Sequence, residues 1–239
     1  MTFFQALRRT YGGSIAFLIA CPLLALVPVF FEVVQHIVEV KIGMYQSIAM
    51  AKAVEHDPWR MGFGMIKVIA LILPGYWIVR FLAWRDPRAA ARPDARAVRL
   101  FAGFAAFQIA LAVLQLFVLP QIGWVLLATF VGGQVIGILI AAWGVAAALG
   151  NAAIGPRASV AIMARQIPWT FVFSLVAMLP LMVPHYAFAA LAILGPKALL
   201  WTVLLIDSLL VGWLSAVLVA ASYVAAERAA GRAGVSLRG

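Results

Sequence analysis

Residues 31–40, FEVVQHIVEV, place polar side chains at helical spacing just after a long apolar run. On a helix, Glu32, Gln35, His36 and Glu39 share one face, because residues three and four positions apart are neighbours. Two carboxylates and an imidazole in one place can bind a cation, relay a proton or act as general acid and base. The choice among these functions depends on which other polar groups the fold brings to the same face.

The spacing Glu32-x-x-x-His36-x-x-Glu39 offers the oxygen and nitrogen ligands that a hard or borderline metal takes. It is not the His-Glu-x-x-His zinc pattern, and single acid–histidine spacings of this kind often arise by chance. The sequence therefore assigns no metal site, and Glu32, His36 and Glu39, with His185, are the ligands to test if a metal binds. The chain contains no nucleotide-binding, nucleophile-elbow or haem-attachment motif, so the cofactor stays unknown.

Two further ionisable residues, Lys67 and Asp207, lie inside apolar runs. An isolated charge at such a position costs on the order of 2.5–3.5 kcal/mol on insertion scales, so each side chain should face the bundle or a partner. Because the two residues lie at similar depths, we predict that they form an intramembrane ion pair, with Glu32 as the alternative partner of Lys67. His185, in a later apolar run, is expected at the same level and completes the candidate lining of a crevice.

The composition indicates a membrane protein. Of the 239 residues, 66% are hydrophobic and 11% are charged, whereas a soluble domain is about half apolar and a quarter charged. In a bilayer, only helices and closed barrels satisfy the backbone, and the apolar runs here are continuous rather than alternating, which favours helices. The sequence therefore predicts an all-α, polytopic integral membrane protein, a six-transmembrane-helix bundle.

Six apolar runs are long enough to cross the hydrocarbon core, which takes roughly 18–20 residues. The predicted spans are 14–31, 61–84, 98–119, 121–149, 168–194 and 198–225, which together make a membrane domain over residues 14–225. Short proline-containing breaks after the third and fifth spans predict two tight antiparallel hairpins.

Four shorter segments lie outside the spans. They are an interfacial N-terminal segment (1–13), an outer amphipathic segment (32–60), a basic cytoplasmic loop (85–97) and a cytoplasmic tail (226–239). Thr2 and Gln5 have the spacing of a capping box, which predicts a helix start near the N-terminus. The segment that carries Glu32 and Glu39 has two possible geometries: it lies on the membrane surface, or it continues the first span straight outward.

Lysine and arginine are distributed unevenly between the two sides of the predicted bundle. The side with both termini has twelve: Arg8, Arg9, Arg85, Arg88, Arg92, Arg96, Arg99, Arg157, Arg165, Arg228, Arg232 and Arg238. The other side has four: Lys41, Lys52, Arg60 and Lys197. The positive-inside rule then places both termini in the cytoplasm. The plan is similar to that of many small six-span inner-membrane proteins of bacteria, a likeness of topology that predicts localisation but assigns no function.

Small residues recur at four-residue spacing in two spans and predict close helix packing. They are Gly133 and Gly137 in the fourth span and Gly212 and Ala216 in the sixth. Such ridges can join helices within one bundle, or bind a second copy or another membrane protein. The basic loops are expected to contact anionic lipid headgroups. Nucleic acid is not expected as a partner, because no basic surface is interleaved with exposed aromatic residues.

The sequence leaves several functional interpretations open. The favoured one is a non-enzymatic membrane protein whose outward-facing polar crevice binds or transports a small molecule, an ion or a lipid. One alternative is an assembly or regulatory subunit of a larger membrane complex, which would use the glycine ridges and basic loops. A second is a membrane-embedded lipid-modifying enzyme with a histidine as general base. The simplest interpretation of the same residues is a solvated surface helix above one structural ion pair.

Overall fold

The computed structural model describes residues 1–120 and 122–239, whose regular structure is helical, with no strand. In chain order the helices are α1 (Phe3–Ala20), α2 (Pro22–Lys41), α3 (Ile48–Ala53), α4 (Pro58–Ile72), α5 (Gly75–Trp84), α6 (Pro87–Ala91), α7 (Ala95–Val113), α8 (Gly123–Ala148), α9 (Pro156–Met163), α10 (Ile167–Leu194) and α11 (Leu200–Ala233). A π-helical turn, Leu114–Val118, extends α7, and 3-10 turns, Ala164–Gln166 and Lys197–Leu199, precede α10 and α11.

Six helical segments are long and apolar enough to cross a membrane, which confirms the predicted all-helical membrane class. These segments are Pro22–Lys41, Pro58–Trp84, Ala95–Val118, Gly123–Ala148, Pro156–Leu194 and Lys197–Ala233. Position 121, at which the fourth predicted span begins, lies outside the described residues. The last segment packs against α1, α2, α5, α8, α9 and α10, so α11 is the central helix of the bundle.

The first membrane-length helix begins at Pro22, whereas the sequence analysis placed the first span at 14–31. Cys21 has φ −130° and ψ 54°, which ends α1. Proline disfavours the helical conformation in the residue before it and is well suited to the first position of a helix, so the Cys21–Pro22 step ends one helix and begins another. From there α2 continues without a break to Lys41. Residues 32–39 therefore continue this helix and do not form a separate helix.

Helix α1 is longer than the predicted interfacial segment and packs along the bundle. Its start has the expected capping box, in which the Thr2 hydroxyl accepts from the Gln5 backbone N–H and the Gln5 side chain accepts from the Thr2 N–H. Further along, the Tyr11 hydroxyl donates to the Ala177 carbonyl at 2.7 Å, and the Trp213 indole N–H donates to the Ser14 hydroxyl at 3.1 Å. These bonds attach α1 to α10 and α11.

Small residues of α11 allow α2 to approach closely. A Cβ atom placed on Gly212 would lie 2.5 Å from the Val29 Cγ2 atom, so only glycine fits at this contact. Ala216, one turn further along, is also buried. This contact brings the half of α2 that carries Glu32 against α11, and thereby positions the polar residues described below.

The two glycines singled out in α8 have different surroundings. A Cβ atom on Gly133 would meet the Gln115 side chain at 2.7 Å, whereas one on Gly137 would have no neighbour within 4 Å. Gly137 instead lines a largely apolar cavity of about 340 Å³ between helices, with Gln108, Gln134 and Thr170 among its polar lining residues. The ridge in α8 thus leaves space at Gly137 rather than a tight contact.

A buried arginine, Arg80 of α5, binds the ends of neighbouring helices. Its guanidinium donates to the carbonyl oxygens of Ala90, Arg92 and Ala148 at 3.0–3.3 Å and stacks 4.2 Å from the centroid of a Trp84 ring. Carbonyls at helix ends lack partners within their own helix, and a planar donor with five N–H groups can satisfy several of them. Arg80 therefore joins α5, α6 and α8.

Candidate functional site: a buried carboxylate–histidine cluster

Four helices contribute charged or titratable side chains to one place, which we call the polar cluster. Its members are Glu32, His36 and Glu39 of α2, Arg60 and Lys67 of α4, His185 of α10 and Asp207 of α11. Glu32, Lys67 and His185 each lie nine residues from one end of their helix, and Asp207 lies seven residues from the start of α11. In each case the end meant is the one that adjoins residues 42–57 or 195–199. At 1.5 Å per residue, these depths are about 10–14 Å.

The centre of the polar cluster is removed from the surface, and its rim is partly exposed. Glu32, His36 and Asp207 are 1%, 5% and 2% exposed. The side chains of Lys67 and His185 retain about a quarter of their exposure, at 25% and 24%. Buried charges are strongly disfavoured unless they are paired, so the pairing within the cluster decides what it can do.

His36 lies at the middle of the polar cluster and faces three carboxylates. Its Nδ1 atom is 3.1 Å from Glu39 Oε2 and 2.9 Å from the Tyr45 hydroxyl. Its Nε2 atom is 3.4 Å from Asp207 Oδ2 and 3.6 Å from Glu32 Oε1, and makes no hydrogen bond. One ring edge is thus held by hydrogen bonds, whereas the other points between two carboxylates.

Glu39 is the best-satisfied carboxylate of the cluster. Its Oε1 atom accepts from the Gln35 amide at 3.1 Å and from the Arg60 guanidinium at 3.3 Å. Its Oε2 atom accepts from the Tyr45 hydroxyl. Burial raises the pKa of Tyr45 well above its usual range, and the nearby Glu39 carboxylate raises it further, so this phenol keeps its proton and donates it.

The loop that carries Tyr45 is tied to the start of the last membrane segment. The Lys197 ammonium donates to the carbonyl oxygens of Tyr45 and Ile193. Since Tyr45 also bonds to Glu39, this pair of contacts connects the loop after α2 to the turn between α10 and α11.

The intramembrane ion pair predicted between Lys67 and Asp207 is not formed among the described residues. Lys67 Nζ lies 3.2 Å from Glu32 Oε2, the alternative partner named from the sequence. Asp207 Oδ1 lies 2.8 Å from His185 Nδ1 instead. The rotation of each helix about its axis turns Lys67 toward α2 and places Asp207 between α2 and α10.

Two prolines lie close to His185 in α10. Pro180 and Pro184 lie inside this helix, and each removes one backbone donor and the hydrogen bond that it would make four residues earlier. His185 follows the second proline directly. A proline-weakened helix at this depth is a position at which the backbone can bend.

The structure brings the four candidate crevice residues, Glu32, His36, Glu39 and His185, into one network with Asp207 and Lys67. Two members of the network were missed from the sequence, Tyr45 and Arg60. Tyr45 lies in a loop, where the sequence has no helical periodicity from which a buried side chain could be predicted. Arg60 was considered only as one of the basic residues that indicate the membrane orientation. His56, the remaining histidine, is exposed and lies apart from the cluster.

Counted without the two histidines, the polar cluster has one more acidic than basic side chain. Glu32, Glu39 and Asp207 carry three negative charges, and Lys67 and Arg60 carry two positive charges. With both histidines neutral, the formal charge is therefore −1. The cationic groups lie at the partly exposed rim and the carboxylates at the centre, so a cation is stabilised at the centre but must first pass the positive charges of the rim.

Comparison of the chain with protein-family models, with curated proteins and with solved structures finds no match.

Proposed function

We propose that the protein is a non-enzymatic membrane protein that binds or transports a small cation through an outward-facing crevice, and that the polar cluster is the binding site. One observation carries this proposal. Side chains from four membrane-length segments bring three carboxylates and two imidazoles together, and the deepest of them, Glu32, His185 and Asp207, lie about 10–14 Å inside the helix ends. Intramembrane ionisable groups concentrated in this way mark ion and substrate pathways.

The orientation of the site follows from the distribution of basic residues. If both termini are cytoplasmic, as the excess of lysine and arginine on their side indicates, then residues 42–57 and 195–199 lie outside. The polar cluster is then in the outer half of the bundle, and its partly exposed members, Lys67 and His185, are the first groups that an entering cation meets. Cysteine substitutions at Lys52 and Arg165, labelled with a membrane-impermeant maleimide on intact cells, test this orientation. Labelling is expected at position 52 alone.

The transport proposal is tested with purified protein in sealed liposomes under a potassium-diffusion potential. The probes are H⁺, followed with an enclosed pH dye, and Na⁺ and Mn²⁺, followed as radioactive tracers. Wild-type protein is expected to increase the flux of at least one probe over protein-free liposomes. Asp207→Asn keeps the shape of the side chain but removes its charge, and should lower that flux by at least about tenfold.

Glu55→Gln is the matched control, because this carboxylate is exposed and lies outside the polar cluster. It should leave the flux unchanged. Wild-type flux no higher than that of empty liposomes for all three probes, or normal flux in Asp207→Asn, contradicts the proposal. Size-exclusion profiles of each variant in detergent show that a loss of flux is not a loss of folded protein.

A further inference from the structure

Three buried side chains from two helices point at one small volume inside the polar cluster. Glu32 and His36 lie one turn apart on α2, and Asp207 faces them from α11. One ligand atom from each residue can be chosen so that all three atoms lie within 4.8 Å of one another. We call this group the three-ligand site. It differs from the set considered from sequence, because Asp207 takes the place of Glu39.

The hydrogen bonds of His36 place a hydrogen on Nδ1, so that in the neutral form of the ring Nε2 faces this volume as an acceptor. The Tyr45 hydroxyl uses its single hydrogen on Glu39, and the Glu39 carboxylate only accepts. The contact of Nδ1 with both groups therefore requires that Nδ1 carry a hydrogen. In a neutral imidazole, Nε2 then presents a lone pair toward two carboxylate oxygens, an arrangement that is repulsive unless a positive charge lies between them.

The distances are those of ligands around a metal. Zinc lies about 2.0–2.2 Å from nitrogen and oxygen ligands in tetrahedral sites, so neighbouring ligand atoms are about 3.4 Å apart. The separations from His36 Nε2 are 3.4 Å to Asp207 and 3.6 Å to Glu32. A proton on Nε2 would instead favour a charge-assisted hydrogen bond of about 2.7–2.9 Å, and Nε2 makes no hydrogen bond although His36 is buried.

Each of the three side chains also has a partner outside the site. His36 Nδ1 bonds to Glu39 and Tyr45, the other Asp207 oxygen bonds to His185, and Lys67 Nζ lies 3.2–3.3 Å from the two Glu32 oxygens. Metal-binding histidines and carboxylates are oriented by outer partners of this kind. The two carboxylates would also neutralise the charge of a divalent ion within the bundle.

We propose that Glu32, His36 and Asp207 bind one divalent first-row transition-metal ion, with a further coordination position left for water or for a passing ligand. One imidazole and two carboxylates suit Zn²⁺, Mn²⁺ and Fe²⁺, whereas an all-oxygen set would suit Mg²⁺ or Ca²⁺. This inference rests on the proposed function, because it names the cation that the crevice takes. Binding itself can be measured without any transport.

The experiment uses purified full-length protein, with its affinity tag removed and its metals stripped with a chelator. Zinc binding is measured by titration calorimetry and by metal analysis after gel filtration. Wild-type protein should bind one equivalent. His36→Gln and Asp207→Asn should each weaken binding on the order of 100-fold, and His56→Gln, which changes an exposed histidine outside the cluster, should bind like wild type. A 1000-fold excess of Mg²⁺ should not displace the zinc.

X-ray absorption of zinc-loaded wild-type protein keeps the test independent of variants that fail to fold. The expected shell contains only nitrogen and oxygen at about 2.0–2.2 Å with one imidazole. Less than stoichiometric zinc in the wild type, sulfur or a second imidazole in the shell, or unchanged binding in both His36→Gln and Asp207→Asn overturns the metal site. If zinc does not bind but Asp207→Asn abolishes H⁺ or Na⁺ flux, the metal inference fails and the proposed transport stands. If zinc binds as expected and no probe is transported, transport fails and the metal site stands.

Discussion

Tyr45→Phe should destabilise the protein by removing one hydroxyl from the polar cluster. The side chain is buried, and its hydroxyl donates to Glu39 Oε2 and lies 2.9 Å from His36 Nδ1. Phenylalanine keeps the ring and its packing on the loop. The substitution therefore removes hydrogen bonds without creating a large cavity.

The magnitude follows from the charge on the acceptor. A hydrogen bond to a charged group contributes about 1.5–3 kcal/mol. After the substitution Glu39 Oε2 still has His36 at 3.1 Å, so the carboxylate is not left without a partner and the cost stays within that range. For a chain of this length, 1 kcal/mol shifts the melting temperature by about 2–4 °C, so we expect a decrease of about 3–12 °C.

The assay is thermal unfolding in a mild detergent, followed by circular dichroism, on the wild type, Tyr45→Phe and the control Tyr186→Phe. Tyr186 is largely exposed, so its hydroxyl should contribute little. Glu39→Gln completes a double-mutant cycle, in which the coupling between Tyr45 and Glu39 should be at least about 1 kcal/mol. Equal melting temperatures for Tyr45→Phe and Tyr186→Phe, or additive effects of Tyr45→Phe and Glu39→Gln, would refute the network described here.

Three further predictions concern the scaffold. Arg80→Met leaves three main-chain carbonyls without their donor and should cost at least about 2–3 kcal/mol of unfolding free energy, against no change for the exposed control Arg88→Met. Gly212→Ala introduces a Cβ atom 2.5 Å from a neighbouring side chain and should lower stability by about 1–3 kcal/mol, whereas Gly137→Ala, which meets nothing within 4 Å, should be neutral or stabilising in the same denaturation assay. Asp94 caps α7, and its pKa is lowered by hydrogen bonds from the backbone N–H groups of that helix. A carboxylate whose pKa is lowered in the folded state stabilises the fold at pH values above its unfolded pKa of about 3.9. Asp94→Ala should therefore lower the free energy of unfolding by about 0.5–2 kcal/mol at pH 7 and by progressively less as the pH falls below 4.

The sequence predicted the parts of the site that depend on local geometry. Glu32, His36 and Glu39 share a face because helical spacing requires it, and this face is found intact in α2. The depths of Lys67 and Asp207 were also inferred from their positions in apolar runs. Their partners were not, because a partner depends on the rotation of each helix about its axis, which is set by packing contacts such as Gly212 with α2 rather than by hydropathy.

The start of the first span was misplaced for a different physical reason. Apolar residues continue across Cys21, so hydropathy alone carries the run from Ser14 onward. The chain nevertheless ends one helix there, since the residue before Pro22 disfavours the helical conformation. Hydropathy ends the predicted span at residue 31 because Glu32 and Glu39 lower it, whereas the helix itself continues to Lys41 with both side chains buried and paired. Buried polar residues of a membrane helix look like a helix end until their partners are known.

The composition of the polar cluster argues against a purely structural role. Replacing buried ion pairs by apolar residues of similar volume is often neutral or stabilising, so stability alone gives no reason to hold three carboxylates inside a bundle. Helices α2 and α11 already contact each other closely at Gly212 and Val29, so the cluster is not required to bring them together. Both oxygens of Glu39 accept hydrogen bonds, whereas His36 Nε2 and Glu32 Oε2 are buried without a hydrogen-bond partner. These two atoms, and not the stability of the bundle, are the reason for proposing that Glu32, His36 and Asp207 bind a cation.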